Sequence, residues 1–277
     1  MPASLKDKTL FVSGGSRGIG LAIALRAARD GANVALIAKT AEPHPKLEGT
    51  VFTAARQIEA AGGQALPIVG DIRDESQVAS AVRQAAERFG GIDICVNNAS
   101  AINLSGTEAL ELKRYDLMQS INTRGTFAVS RACLPHLKQA ANPHILTLSP
   151  PISLEPRWLG PHIGYTIAKY GMTLCALAFA AEFEDAGIAS NALWPRTLIA
   201  TAAVRNLLGG DEALARSRKP ELYADAAYAI LIRPSRQCTG NMFLCEDVLA
   251  EHGVTDFDQY AYIPGAEPMV DLFVDHA

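Results

Sequence analysis

The chain has 277 residues, 49% hydrophobic and 19% charged, with a formal charge of −4. A chain of this size buries about three quarters of its unfolded surface without disulfide or metal staples, and this composition excludes a disordered or low-complexity protein. The weak acidity excludes a strongly basic nucleic-acid binder, and the five scattered cysteines (Cys95, Cys133, Cys175, Cys238, Cys245) form no CxxC or CxxH cluster, which argues against a zinc site or disulfide framework and for a reducing compartment.

Short apolar runs alternate with longer helical ones along the chain. Strands are predicted at Thr9–Ser13, Asn33–Ala38, Gln64–Val69, Ile92–Asn97, His144–Ser149, Ala189–Trp194 and Gly240–Cys245. Helices are predicted at Gly18–Asp30, Val51–Ala61, Glu75–Phe89, Tyr115–Ala140, Ile163–Ala186 and Glu221–Ile230. Strands separated by helices of this length make βαβ units. The continuously apolar strands, such as Val34–Ala38 and Ile145–Leu148, suit a sheet covered on both faces. The expected fold is therefore α/β: one Rossmann-type, doubly wound parallel sheet of about seven strands with helices on both faces, in a single domain. Pro67 counts against the third strand unless that strand lies near a sheet edge. Two stretches read as irregular, Thr40–Thr50 and Thr197–Pro220, and the second is long enough to act as a lid over a substrate.

No apolar run reaches the 18 residues of a membrane span. The short polar segment Met1–Lys8 lacks a signal-peptide pattern. A soluble cytoplasmic protein is expected, with no membrane partner, no nucleic-acid partner and no metal.

The first strand leads into Ser13-Gly14-Gly15-Ser16-Arg17-Gly18-Ile19-Gly20 and then a helix. Gly14 suits the tight turn, Gly18 a close backbone approach to a pyrophosphate, and Gly20 close packing of helix on strand. The helix N-terminus offers unpaired N–H groups and partial positive charge to phosphates. The second strand ends Ala38-Lys39-Thr40, with no carboxylate to hold a ribose 2′-hydroxyl. Lys39 and Arg17 instead suit a 2′-phosphate, so NADP(H) is expected over NAD(H); the plain alternative is that both are solvated surface charges.

Tyr165 and Lys169 lie four residues apart, on one face of a helix. An ammonium beside a phenol favours the phenolate, and a shift from about 10 toward neutrality requires about 4 kcal/mol. Such a tyrosine exchanges a proton with a carbonyl or hydroxyl oxygen near pH 7.

Gly14–Gly20, Asn97-Asn98-Ala99, Asn122 and Tyr165/Lys169, in this order, resemble the short-chain dehydrogenase/reductase family. Ala38–Thr50, Leu148–Pro156, Tyr165–Thr173 and Asn191–Ala203 are similar to its hydroxysteroid dehydrogenase-like protein 2 subgroup, whose eukaryotic members also carry a sterol-carrier domain; none is expected in these 277 residues. The resemblance implies a carbonyl/alcohol oxidoreductase in which Tyr165 is the acid/base, Lys169 tunes it and binds ribose, and Asn122 kinks its helix and holds a water beside the lysine. It further implies that Asp71 holds the adenine amino group and that Asn97, Asn98 and Ala99 line the ribose side. Pro195, Ile199 and Thr201 would fix the carboxamide, and Ser16, Arg17 and Ile19 accompany the glycines. Asp71 reads equally as a helix cap. The substrate is a small carbonyl or alcohol, and a homodimer or homotetramer is implied.

Two departures stand out. The substrate-orienting serine normally falls 13 residues before the tyrosine, where this chain has Ile152, bracketed by Ser149 and Ser153. Ser149 fits by strand position and Ser153 by distance, and neither is the third alternative. Arg196 replaces a usual glycine. These departures keep open a non-catalytic NADP(H)-binding or sensor protein, and a non-redox epimerase that returns the hydride.

Overall fold

The computed structural model describes residues 4–43 and 48–274. Seven parallel strands run in the order β3-β2-β1-β4-β5-β6-β7. They are β1 (Thr9–Ser13), β2 (Asn33–Ala38), β3 (Gln64–Val69), β4 (Ile94–Asn97), β5 (His144–Leu148), β6 (Ala189–Trp194) and β7 (Met242–Leu244). The helices between and after them are α1 (Gly18–Ala28), α2 (Val51–Ala60), α3 (Glu75–Phe89), α4 (Leu112–Ile121), α5 (Thr123–Leu137), α6 (Pro156–Leu159), α7 (Ile163–Glu182), α8 (Gly210–Ala215), α9 (Pro220–Leu231) and α10 (Cys245–Glu251). The expected doubly wound α/β sheet is present.

Its two faces follow from alternation along each strand. Leu10 and Val12 of β1, Ile94 and Val96 of β4, and Leu146 and Leu148 of β5 join one core with α1, α9 and α10. The intervening Phe11, Cys95 and Ile145 join the opposite core with α3, α5 and α7. Strands covered on both sides have no polar face, which is why their sequences are continuously apolar. Pro67 lies on β3, the edge strand, opposite Leu36. One ladder of β3 is unpaired there, so a missing N–H is tolerated.

Several boundaries differ from expectation. The predicted helix Tyr115–Ala140 is two helices joined at Asn122, whose φ of −72° and ψ of −69° bend the chain while Asn122 N still donates to Met118 O. The last strand is shorter than Gly240–Cys245, because Cys245 already begins α10. Thr197–Pro220 is not irregular: it holds a π-helix at Val204–Leu208 and α8, tied down by the bridges Ile199↔Arg218 and Thr197↔Val270. Of the other irregular stretch, His44–Leu47 lies outside the described residues. Helix α7, 20 residues with a mean hydropathy of 1.2, is long and apolar enough to cross a membrane, contrary to the expectation that no segment is. It instead packs against α5, β5 and β6, which accounts for its apolar character.

Strand order reverses between β1 and β4, so the loops leaving these neighbours diverge. They open a crevice at the carboxyl edge of the sheet, where Ser13 and Asn97 end their strands.

Candidate active site

The crevice is a cleft of about 1410 Å³ that runs from Gly14, Ser16, Arg17, Gly18 and Ile19 past Asn98 and Ala99 to Tyr165 and Lys169. Close approach dictates its glycines. Gly14 has φ +73°, and a Cβ there would lie 2.8 Å from Ala99 Cα. A Cβ on Gly20 would lie 2.5 Å from Asn98 Nδ2, the amide that donates to Ser13 O and Gly14 O. Gly20 therefore lets the helix start sit close against the ends of β1 and β4, where this side chain ties the two strands together. The N-cap residue of α1, Arg17, makes no side-chain cap hydrogen bond. An uncapped helix start beside a glycine cradle fits the pyrophosphate of a dinucleotide.

The expected ribose-side cations are present and engaged. Arg17 Nε donates to Glu48 O (2.7 Å) and its Nη2 to Gly49 O (2.6 Å), which fastens the loop entering α2. Lys39 Nζ lies 3.4 Å from the Asp71 carboxylate. Asp71 also accepts from Arg73 Nε (3.0 Å) and Nη2 (2.6 Å), and these partners hold its carboxyl well below the usual carboxylate range. Asp71 is not the cap of α3. That role belongs to Asp74, which accepts from the backbone of Ser76 and Gln77.

Asn97 is buried, and its amide reaches Ser130 Oγ (2.8 Å) and Thr147 Oγ1 (3.4 Å), binding β4 to α5 and β5. Asn122 is fully buried; its Oδ1 accepts from Ala101 N (2.7 Å) and its Nδ2 donates to Ala101 O (3.0 Å). The expected kink is present, and the side chain fastens the loop after β4. The lysine ammonium donates to Leu148 O at 2.7 Å and lies 4.8 Å from the Trp194 ring centroid.

The electrostatics of Tyr165 and Lys169 correct the simplest expectation. Tyr165 is 4% exposed and Lys169 3%. Burial, reinforced by Asp271, pushes the Tyr165 phenol up rather than toward neutrality. Burial likewise lowers Lys169 from 10.5 to about 7, opposed by the attraction of Asp271. Loss of hydration disfavours both charged forms, and this exceeds the attraction expected between neighbours four residues apart.

The two candidate serines sit differently. The Ser153 backbone is held by Tyr170, whose hydroxyl donates to Ser153 O (2.8 Å) and accepts from Ser153 N (3.2 Å), and the Ser153 hydroxyl accepts from Glu155 N (3.3 Å). Ser149 follows β5 directly and is fully buried, and its hydroxyl has no hydrogen-bond partner among the described residues. Pro195, Ile199 and Thr201 line the cleft as expected. Arg196 turns away to pair with Asp247 at 2.8 Å, so it does not block the crevice.

Residues 8–209 match the short chain dehydrogenase family. This chain belongs to that family. It is similar to "Hydroxysteroid dehydrogenase-like protein 2" of Danio rerio, 57% identical over 267 residues that cover 96% of this chain and 64% of that protein. The Homo sapiens protein of the same name is 53% identical over 267 residues, covering 96% and 63%. The chain thus spans a little under two thirds of these relatives. The crystal structure of a short chain dehydrogenase from Mycobacterium thermoresistibile is 69% identical, with a TM-score of 0.93, covering 98% of this chain and 96% of that one.

Sequence reasoning missed the wall of this dehydrogenase's cleft opposite Tyr165. Asp271 and Leu272 line it, and the Phe273 ring stacks on His162 (centroids 5.6 Å apart) and lies 6.0 Å from Tyr165. The only local signal was one acid in the apolar run Val270–Val274.

Proposed function

We propose that this short-chain dehydrogenase interconverts a carbonyl and a secondary alcohol using NADP(H). The observation that carries the proposal is the placement of Tyr165 and Lys169, one helical turn apart on α7, in the same cleft as the glycine cradle. The dinucleotide, when bound, supplies or accepts the hydride at the substrate carbon. In reduction, the Tyr165 hydroxyl donates its proton to the oxygen that becomes the alcohol, leaving a phenolate that Lys169 stabilises when charged. A phenol held protonated by burial and by Asp271 supports the carbonyl-reducing direction at neutral pH. Lys169 also holds the ribose. Ser149, whose buried hydroxyl has no partner among the described residues, is the better serine for orienting the substrate oxygen.

The preference for NADP(H) over NAD(H) is supported by Arg17 and Lys39 at the cleft and by the absence of an acidic residue at the end of β2. The π-helix with Leu207 and Leu208, also at the cleft, supports a lid role for 197–220. Exposed Phe127 of α5 with Ile167 and Leu174 of α7 supports pairing of two copies through these helices. The five free cysteines support residence in a reducing compartment such as the cytoplasm.

The test is cofactor consumption across a panel of ketones and aldehydes with NADPH and NADH. The reading predicts turnover of at least one carbonyl with NADPH preferred. Tight NADPH binding with no turnover on any carbonyl would overturn it.

A further inference from the structure

Lys169 is a buried cation whose hydrogen-bond acceptor, Leu148 O, and soft neighbours, Met172 Sδ at 3.9 Å and the Trp194 ring, carry no formal charge. An ammonium removed from water needs a counter-charge to remain an ammonium. The opposite charge acting on it comes from Asp271, far along the chain.

The segment carrying Asp271 is fastened on several sides. Met269 N donates to Arg216 O, and Leu198 N donates to Met269 O (2.9 Å). Val270 bridges Thr197, Asp271 N donates to Arg196 O (2.9 Å), and Trp194 Nε1 donates to Leu272 O (2.9 Å). Phe273 is 2% exposed and lies among the rings of Trp158, His162, Tyr165, Tyr170 and Trp194. Its φ of +68° is a conformation that a bulky side chain adopts only when its surroundings enforce it. The Asp271 carboxylate accepts one hydrogen bond, from its neighbour Leu272 N (2.7 Å), and none other among the described residues. Asp271 lines the same cleft as Tyr165 and Lys169.

We propose that Asp271 is a positioning residue of the reaction site: the counter-ion, delivered by segment 269–274, that keeps Lys169 charged while Lys169 holds ribose and supports the Tyr165 phenolate. This rests on the roles proposed above for Tyr165 and Lys169. The other groups around Asp271 do not replace it. Tyr165 from α7, Tyr223 from α9, and Cys245 and Glu246 from α10 are neutral or negative. Glu246 is already committed to Arg196 N (2.8 Å) and Thr197 Oγ1 (3.1 Å). Burial raises Asp271 to about 7, so the carboxylate forms in the range where Lys169 would otherwise lose its proton.

The test is the affinity for NADPH, read by fluorescence between pH 5 and 9, for wild type and Asp271→Asn. Below the titration of both groups, a protonated Asp271 and its amide replacement are alike in shape and charge, so the affinities coincide at low pH. As pH rises, the variant loses affinity at a pH about one unit lower than wild type, since removing the opposite charge that favours the ammonium lowers its pKa. In a Lys169→Met background the same substitution produces no shift. Asp271→Ser, also small, polar and uncharged, gives the same displacement and keeps the test available should the amide variant fold poorly. Coincident pH profiles would overturn the proposal, as would weakened binding persisting to pH 5 or an equal shift without Lys169. The readout is binding, so a displaced profile without carbonyl turnover would uphold this inference while refuting the proposed reaction.

Discussion

Replacing Lys169 with methionine should stabilise the cofactor-free protein while disabling its chemistry. The drop of Lys169 from 10.5 to about 7 corresponds to roughly 5 kcal/mol, at about 1.4 kcal/mol per pH unit, for holding the charged form in the fold. A lysine depressed in the folded state costs stability in full below its folded pKa of about 7, and the cost fades as pH rises toward 10.5, where the unfolded chain also releases the proton. Methionine removes the charge at similar length, but it forfeits the hydrogen bond to Leu148 O, worth about 1–2 kcal/mol. The net expectation is a gain of about 3–4 kcal/mol at pH 6. By pH 9.5 the lysine's cost falls to about 1.4 kcal/mol, which the lost hydrogen bond cancels. Asp271 moves the balance the same way. Its folded value is raised, so it loses stability as pH rises through about 7, and more steeply without its cation. Urea unfolding of both proteins at pH 6.0 and 9.5 gives the comparison directly. A variant less stable than wild type at pH 6, or a gap that does not narrow with pH, would refute the electrostatic account of the site.

Ser149→Ala should leave stability unchanged or raise it by up to about 1 kcal/mol, since it removes a buried hydroxyl without a partner, while turnover falls about 10–100-fold through loss of one substrate hydrogen bond; thermal melts with steady-state rates check both halves. Arg17→Ala should weaken NADPH about tenfold or more and NADH much less, because loss of a charge-assisted phosphate contact penalises only the phosphorylated ribose; competitive binding of the two cofactors reads the ratio.

Much of the sheet was legible because its signals are local. Continuous apolar strands mark burial on both faces, and Pro67 confines its strand to the edge it occupies beside Leu36. The crevice was legible for the same reason: Gly14–Gly20 and Tyr165–Lys169 are short spacings that survive without knowledge of tertiary neighbours. What escaped depends on contacts between distant segments. Asn122 reads as a helix residue until its amide closes on Ala101, more than a helix length away in sequence. The acidity of Tyr165 is governed by burial and by Asp271, so the four-residue spacing to Lys169 predicted its direction wrongly. The spacing also left Ser149 and Ser153 as alternatives, because the surroundings of each hydroxyl, bare for Ser149 and bonded to Glu155 N for Ser153, are set by the fold. Phe273 and Asp271 carry no spacing signature at all, because a bridge, backbone hydrogen bonds and ring packing bring them to the cleft.

The central claim is that the Tyr165 hydroxyl moves the proton that accompanies hydride transfer. Tyr165→Phe deletes that single oxygen from a buried wall of the cleft and keeps the ring against Phe273. Single-turnover oxidation of bound NADPH by a carbonyl substrate, measured beside the NADPH Kd, isolates the step. The account predicts a rate lower by about 10²–10⁴-fold with the Kd within about twofold of wild type. Equal rates for the two proteins would contradict it.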